Sequence, residues 1–165
     1  MQEMDLIGVR VEMPTNAPMV LLRERTGEER IIPIYIGAQE ATAIALALDG
    51  VDTPRPMTHD LMRDLLEELS VDMVRVVITS LHEKTFFAEL HLSVEGKAHV
   101  VSSRPSDAIA LAVRTNTPIF AEEAVVEEVG FRESDPQEAE QSEEVVEEFK
   151  EFLDNISPED FEDQG

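Results

Sequence analysis

The chain has 165 residues, a hydrophobic fraction of 42% and a formal net charge of −23 at pH 7. This length suits one domain with a sizeable core, and the negative charge opposes binding of phosphate backbones unless a local basic patch or divalent cations intervene. The absence of cysteine excludes disulfides, thiol nucleophiles and zinc–thiolate sites. With no long apolar run and no basic leader, we expect a cytoplasmic protein without membrane association.

The first third of the chain has the pattern of a three-stranded meander followed by a helix. Apolar residues alternate with others from Ile7 to Met13, which is typical of a half-buried strand. Pro33 lies inside the third strand and predicts a sheet edge or a bulge, because proline cannot donate a ladder hydrogen bond. The predicted strands are 7–13, 19–25 and 30–36, and the helix is 38–48.

The middle of the chain repeats the alternation of strands and helices. Leucines at helical spacing predict a second helix over 58–69, with Thr58 as its N-cap. Three further strands, a central helix that begins at Pro105, a short strand and a last helix follow. The three strands are predicted at 71–81, 85–94 and 97–103. The short strand is predicted at 117–120 and the last helix at 121–129. The predicted fold class is α+β, with helices packed on a curved mixed or antiparallel sheet.

The pentapeptide Ala-Ile-Ala-Leu-Ala occurs at 43–47 and again at 108–112. Each copy follows a β-rich run and a turn, and each helix carries an acidic residue in its first turn, Glu40 or Asp107. This pattern suggests an internal strand–turn–helix duplication. Such a duplication would bring Glu40 and Asp107 to related places in the fold.

The C-terminal fifth of the chain is strongly acidic. Residues 132–165 carry 14 acidic and two basic side chains, which is about half of the net negative charge. The predicted organisation is a domain over 1–131, an acidic linker over 132–144 and an amphipathic C-terminal helical tail over 145–165. We expect the domain to fold without the tail, which could dock back, pair between subunits or present a helix to a partner.

The first candidate for chemistry is the turn that opens the central helix. Arg104, Ser106 and Asp107 follow a strand directly, and α/β architectures tend to place ligands at the carboxyl ends of strands. Ser106 and Asp107 also suit the free N–H groups of a helix start. From these residues alone, the favoured interpretation is a well-capped helix start without a chemical role.

The second candidate is His59, which follows a proline-stiffened loop and precedes Asp60. A histidine beside a carboxylate can act as a general base or orient water. The alternative is a capping turn in which Thr58 and Asp60 satisfy backbone N–H groups.

The third candidate is a set of carboxylates, Glu40, Asp60, Asp64 and Asp107, of which two or three would bind Mg²⁺ or Mn²⁺ if the fold brought them together. Arginines at 55, 63 and 104 could then hold phosphate oxygens. The spacing is not diagnostic, and the chain lacks nucleophile-elbow glycines, a phosphate-binding glycine loop and a dinucleotide fingerprint.

Four stretches together resemble the bifunctional nuclease (BFN) domain over about residues 5 to 130. They are Asp5–Glu12, Ile34–Ala41, Arg55–Leu61 and Arg104–Ala110. The tail around Phe149–Asp154 is similar to the extension of actinobacterial members. The resemblance implies a compact α+β fold with a mixed, strongly curved sheet, assembly as dimers or larger oligomers, and activity on both DNA and RNA.

Two hypotheses follow. In the first, the protein is a metal-assisted nuclease: Glu40, Asp60 and Asp107 hold the cation, His59 handles a proton and Arg104 grips phosphate. Three further side chains would bind substrate, namely Arg55, Arg63 and Ser106. In the second, it is a non-catalytic oligomeric module that binds a ligand or protein, with the C-terminal helix as its partner surface.

Overall fold

The structure is a computed structural model that describes residues 1–133. Within this range, seven strands form one open mixed sheet. The strands are β1 (Gln2–Glu12), β2 (Ala17–Glu24), β3 (Ile31–Tyr35), β4 (Val71–His82), β5 (Thr85–Val94), β6 (Lys97–Ser103) and β7 (Ile119–Ala121). Their order across the sheet is β3-β2-β1-β7-β4-β5-β6. Neighbouring strands are antiparallel except β4 and β7, which are parallel.

Four helices accompany this sheet in the described part of the chain. They are α1 (Ala38–Leu48), α2 (Thr58–Glu68), α3 (Pro105–Thr115) and α4 (Glu123–Val129). Helix α3 lies at the centre, in contact with α1, α2, β4 and β5. Its residues from Ala108 to Ala112 are buried, because their small and apolar side chains let the helix pack closely against the sheet.

The two halves of the sheet repeat the same order of elements. Strands β1 to β3 form an antiparallel meander followed by α1, and strands β4 to β6 form a second meander followed by α3. Strand β7 lies between β1 and β4 and pairs with both. The first turns of α1 and α3 each carry an acidic residue, as the repeated pentapeptide predicts.

The α+β class is confirmed, as are the bounds 38–48 of the first helix and the strands 85–94 and 97–103. Strand β3, which contains Pro33, lies at an edge of the sheet, as predicted. The first strand begins five residues earlier than its alternation indicates, at Gln2, because pairing with β7 extends it. The last strand and helix begin two residues later than predicted, at Ile119 and Glu123.

The predicted caps of two helices were wrong. Thr58 is the first residue of α2, and its N-cap is Met57, whose backbone N–H donates to the Asp60 carboxylate over 3.0 Å. At the start of α3, neither Ser106 nor Asp107 makes a side-chain capping bond. The Asp107 carboxylate binds the side chains of Arg104 and His59 instead.

The leucine face of α2 lies open to solvent in the described structure. Leu61, Leu65 and Leu69 are 52%, 51% and 68% exposed, and His59 is the buried residue of this helix. The linker predicted at 132–144 lies outside the described residues apart from Arg132 and Glu133, and the tail predicted at 145–165 lies wholly outside them. Among residues 1–133, every helix is too short or too polar to cross a bilayer.

Candidate active site at the start of helix α3

A histidine–aspartate pair joins α2 to α3. His59 Nε2 lies 2.9 Å from Asp107 Oδ1, a hydrogen bond in which the imidazole N–H donates to the carboxylate. His59 is 8% exposed, and the Asp107 side chain is 25% exposed. Both groups are therefore held within the fold while the carboxylate keeps some access to solvent.

Arg104 connects this pair to the first turn of α1. Its Nε donates to Asp107 Oδ2 over 2.8 Å, and its Nη2 lies 3.0 Å from Glu40 Oε1. The guanidinium thus lies between the two acidic residues that the repeated pentapeptide placed in corresponding helix turns. Its side chain is 65% exposed, and Nη1 has no hydrogen bond to another residue in the described range, so it has N–H donors left for a ligand.

The electrostatics of the site favour an ionised Asp107. Burial opposes ionisation of this carboxylate, but hydrogen bonds from Arg104 and His59 outweigh the burial and lower its pKa. The same carboxylate, with a smaller contribution from Glu40, raises the pKa of Arg104. Asp107 is therefore a carboxylate, and Arg104 a cation, throughout the neutral range.

These four side chains line one cleft of about 570 Å³. Five more residues complete its lining: Gln39, Thr42, Ala43, Met57 and Thr58. A volume of this size is typical of a small-molecule site or of a segment of a polymer. The cleft brings an imidazole, two carboxylates and a guanidinium to one accessible surface.

Gly37 makes room for Glu40. A Cβ atom at position 37 would lie 2.2 Å from Glu40 Oε2, far inside van der Waals contact. Any larger residue would therefore push the Glu40 carboxylate away from its place beside Arg104. The glycine at the N-cap of α1 thus leaves the space that the Glu40 carboxylate occupies.

Asp60 faces a different partner, Arg114, in the last turn of α3. Arg114 Nε donates to Asp60 Oδ1 over 2.6 Å, and Nη1 and Nη2 donate to the carbonyls of Ala110 and Ala43 over 2.9 and 3.0 Å. The Arg114 side chain is 5% exposed and so ties α1, α2 and α3 together. Its hydrogen bond is the main reason that the pKa of Asp60 lies below its ordinary value.

The remaining predicted substrate-binding residues lie apart from the cleft. Arg63 binds Asp64 over 2.7 Å and lines a smaller polar cavity that also includes Asp60 and Arg114. Arg55 is exposed in the loop before α2 and does not line the cleft. Ser106 is buried and faces a second concave site on the other side of Arg104.

The structure brings two of the three predicted metal ligands together. Arg104 bridges Glu40 and Asp107, whereas both Asp60 oxygens are bound by Arg114 and the backbone of Met57. Within residues 1–133, no three His, Asp or Glu side chains converge on a common point that would hold a cation. The described side chains therefore do not fit the predicted three-carboxylate site, and a requirement for Mg²⁺ or Mn²⁺ stays a prediction.

The sequence profile of the bifunctional nuclease domain matches residues 20–134, which include every element of this cleft. The chain belongs to the bifunctional nuclease domain family. This finding confirms the resemblance that the four sequence stretches indicated.

Relatives fall into two groups. A protein of Mycobacterium tuberculosis described as uncharacterized is 47% identical over 165 residues, with 98% of each chain covered. Bifunctional nuclease 2 of Arabidopsis thaliana is 30% identical over 125 residues, which cover 73% of this chain and 38% of the plant protein. Bifunctional nuclease 1 of the same plant is 27% identical over 118 residues, which cover 70% of this chain and 36% of the plant protein. This chain thus spans less than half of the length of these two plant relatives.

Proposed function

We propose that this protein is a nuclease that hydrolyses phosphodiester bonds of DNA or RNA at the cleft around His59, Asp107 and Arg104. The observation that carries the proposal is the 2.9 Å hydrogen bond between His59 Nε2 and Asp107 Oδ1, beside an arginine with free N–H donors. Membership of the bifunctional nuclease domain family and the names of the plant relatives support the same class of reaction.

In this proposal, Asp107 orients His59. An ionised carboxylate that accepts a hydrogen bond from Nε2–H fixes this neutral tautomer and leaves the lone pair on Nδ1. That nitrogen would take a proton from the attacking water, and Asp107 would stabilise the imidazolium that forms. The lowered pKa of Asp107 supports this role, because the hydrogen bonds from Arg104 and His59 favour the ionised carboxylate.

Arg104 would bind the phosphate. Its guanidinium already lies against Asp107 and Glu40, and its remaining N–H groups can donate to a non-bridging phosphate oxygen. Charge on these oxygens grows as water adds to phosphorus, so a fixed arginine stabilises the transition state more than the bound substrate. The two carboxylates hold the guanidinium in place and reduce its mobility.

The reaction consumes one water molecule. The water oxygen forms a bond to phosphorus while its proton goes to His59, and the ester bond between phosphorus and the leaving oxygen breaks. The leaving oxygen takes up a proton from the imidazolium or from solvent, which returns His59 to its neutral form. The products are a phosphate monoester and a free hydroxyl group.

Cleavage of labelled single-stranded DNA and RNA by the purified full-length chain tests the proposal. The reactions are run with Mg²⁺, with Mn²⁺ and with a chelator, because cation dependence is a separate prediction that the described side chains leave open. We expect cleavage by the wild type and its loss in a folded Asp107→Asn protein. Equal cleavage by both proteins, or none by the wild type in any condition, would contradict a nuclease site at this cleft.

Assembly into dimers or larger oligomers is part of the proposal. The exposed leucines at 61, 65 and 69 give α2 an apolar side, and a second copy of the chain would remove this side from water. Because His59 belongs to the same helix, such an interface would lie close to the cleft.

A further inference from the structure

A second concave site of about 410 Å³ adjoins the cleft at Arg104. It lies between the end of β3, the turn from β4 to β5, and the start of α3. We call it the adjacent groove and define it by Tyr35, Lys84, Phe86, Arg104 and Ser106. We propose that the adjacent groove binds the nucleotide next to the scissile phosphate, with its base unpaired. This inference rests on the proposed function.

Continuity between the two sites is the first argument. Arg104 lines both the cleft and the adjacent groove, so its guanidinium forms the wall between them. A phosphate bound to Arg104 in the cleft therefore directs one of its two ester substituents toward the adjacent groove. A polynucleotide has a nucleotide at that place, whereas a phosphate monoester has nothing to put there.

Unsatisfied donors are the second argument. Ser106 is 6% exposed, and its hydroxyl has no hydrogen-bond partner among residues 1–133. The hydroxyl oxygen itself keeps access to the groove that Ser106 lines, so it is available to a ligand atom. Lys84 makes no ion pair within the described chain, although acidic residues far outnumber basic ones. A phosphate or sugar oxygen satisfies both groups.

The local backbone positions Lys84 at the groove. His82 and Thr85 pair across the β4–β5 hairpin, which leaves a two-residue turn of Glu83 and Lys84. Both residues have positive φ, 47° and 66°, as a type I′ turn requires. Such a tight turn presents the lysine from a defined backbone position instead of from a long loop.

Aromatic side chains are the third argument. Tyr35 is 55% exposed, and its hydroxyl donates to Glu12 over 2.9 Å, which restrains the ring. Phe86 is half-buried and packs against the core while it lines the groove. Aromatic rings beside a phosphate-binding cation are typical of sites that stack unpaired bases. A base within a duplex has its faces covered by neighbours and cannot stack in this way.

Binding is tested in a His59→Ala background, in which substrate stays intact. The probe is a labelled single-stranded hexanucleotide, and fluorescence anisotropy reports its affinity as salt is varied. Lys84→Gln is compared with Lys97→Gln, which changes the exposed lysine at the start of β6, a residue that lines neither site. Tyr35→Leu is compared with Phe87→Leu, which removes an exposed aromatic side chain of β5 that lines neither site.

We expect Lys84→Gln to weaken binding and to reduce the salt slope by about 0.7, as loss of one phosphate contact with a single strand requires. Tyr35→Leu weakens binding about tenfold, a change within the range of one base–aromatic stack. The two control variants bind as their parent does, and a duplex of the same sequence does not respond to Tyr35→Leu. Groove variants that bind like the controls would overturn the proposal.

Activity with two substrates separates this proposal from the nuclease function. Methyl p-nitrophenyl phosphate is a diester that carries no nucleoside, so it offers Lys84 no second phosphate and Tyr35 no base. With His59 intact, Lys84→Gln and Tyr35→Leu should cleave it as the wild type does and lose about tenfold in kcat/KM on the hexanucleotide. If both variants cleave both substrates as the wild type does, the proposal for the adjacent groove is wrong and the proposed nuclease function stands. If the wild type cleaves neither substrate, the proposed nuclease function is wrong. The anisotropy comparison then tests by itself whether the adjacent groove binds a nucleotide.

Discussion

His59 and Asp107 are 48 residues apart in the sequence, and their side chains share a 2.9 Å hydrogen bond. Helix α2 supplies the imidazole and α3 supplies the carboxylate. A pair of this kind also occurs on the sheet, where His91 Nε2 lies 3.3 Å from Glu89 Oε2 on β5. The second pair differs in that it lines neither the cleft nor the adjacent groove. It is therefore a matched control for the first.

Asp107→Asn should lower kcat for oligonucleotide cleavage by about 10²- to 10⁴-fold, because an amide can neither fix the tautomer of His59 nor stabilise its charge. Circular dichroism and the thermal midpoint report whether the fold is kept. Glu89→Gln removes the charge of the control pair and should leave kcat unchanged. Equal losses in the two variants would show that the effect is not specific to the cleft.

Arg104→Gln should lower kcat/KM by about tenfold or more, because the phosphate loses a charged donor in the transition state. Arg25→Gln is the control, since the exposed Arg25, which directly follows β2, also binds two carboxylates, those of Glu3 and Asp5 on β1. Initial rates over a range of oligonucleotide concentrations give both parameters. A normal kcat/KM in Arg104→Gln would remove this residue from phosphate binding.

Asp60→Asn should destabilise the fold by about 2–4 kcal/mol, because it leaves the guanidinium of Arg114 buried without its charge partner. Urea unfolding measures the free energy. Asp64→Asn breaks the more exposed pair with Arg63 and should change stability little. If the two variants unfold at the same urea concentration, Arg114 does not depend on Asp60.

Acid should destabilise the protein in part through Glu24, which is 3% exposed and receives three hydrogen bonds from Arg30. These bonds hold its pKa below the ordinary 4.5 against the opposing effect of burial. The pKa is lower in the folded state, so this stabilisation is complete above about pH 4.5 and is lost as the pH falls through the folded-state value.

Glu24→Gln should therefore cost about 2 kcal/mol at pH 7 and progressively less below about pH 4.5. Urea midpoints from pH 7 to pH 3 give the difference between variant and wild type. Glu28→Gln, at an exposed partner of Arg30, should follow the wild-type curve. A Glu24→Gln difference that is constant over this range would show that the carboxylate charge contributes nothing.

Leu65→Glu should lower the mass of the particle in solution if α2 is the surface between copies, since a charge would replace a side chain that the second copy covers. Light scattering after size exclusion measures the mass. Met13→Glu places the same charge at an exposed residue of the β1–β2 turn and should leave the mass unchanged. A monomeric wild type, or a Leu65→Glu protein of unchanged mass, would contradict this interface.

The strands and helices could be predicted because their signals are local. Alternation marks β1, proline marks the edge strand, and the repeated pentapeptide marks α1 and α3. The sequence did not identify the partners of His59 and Asp60, but helix geometry set one constraint on them. Consecutive residues of a helix point about 100° apart, so these two side chains could not both face Asp107. The structure turns His59 to Asp107 and Asp60 to Arg114.

Arg114 and the adjacent groove depend on contacts that no local pattern reveals. A single cation at the end of an apolar helix was visible in the sequence, and burial of that helix requires such a cation to have an acidic partner. The identity of the partner, 54 residues away, follows only from how α2 packs on α3. Tyr35, Lys84 and Ser106 lie in three separate segments, so their convergence became visible only in the folded chain.

Strand β7 determines when the sheet of a newly synthesised chain can be completed. This three-residue strand joins the two meanders at the middle of the sheet, yet among residues 1–133 it is the last strand to be synthesised. Until residue 121 has left the exit tunnel, β1 and β4 each have an unpaired edge. A nascent chain that stops earlier therefore carries both meanders and all the residues of the cleft, but it lacks the strand that makes them one body.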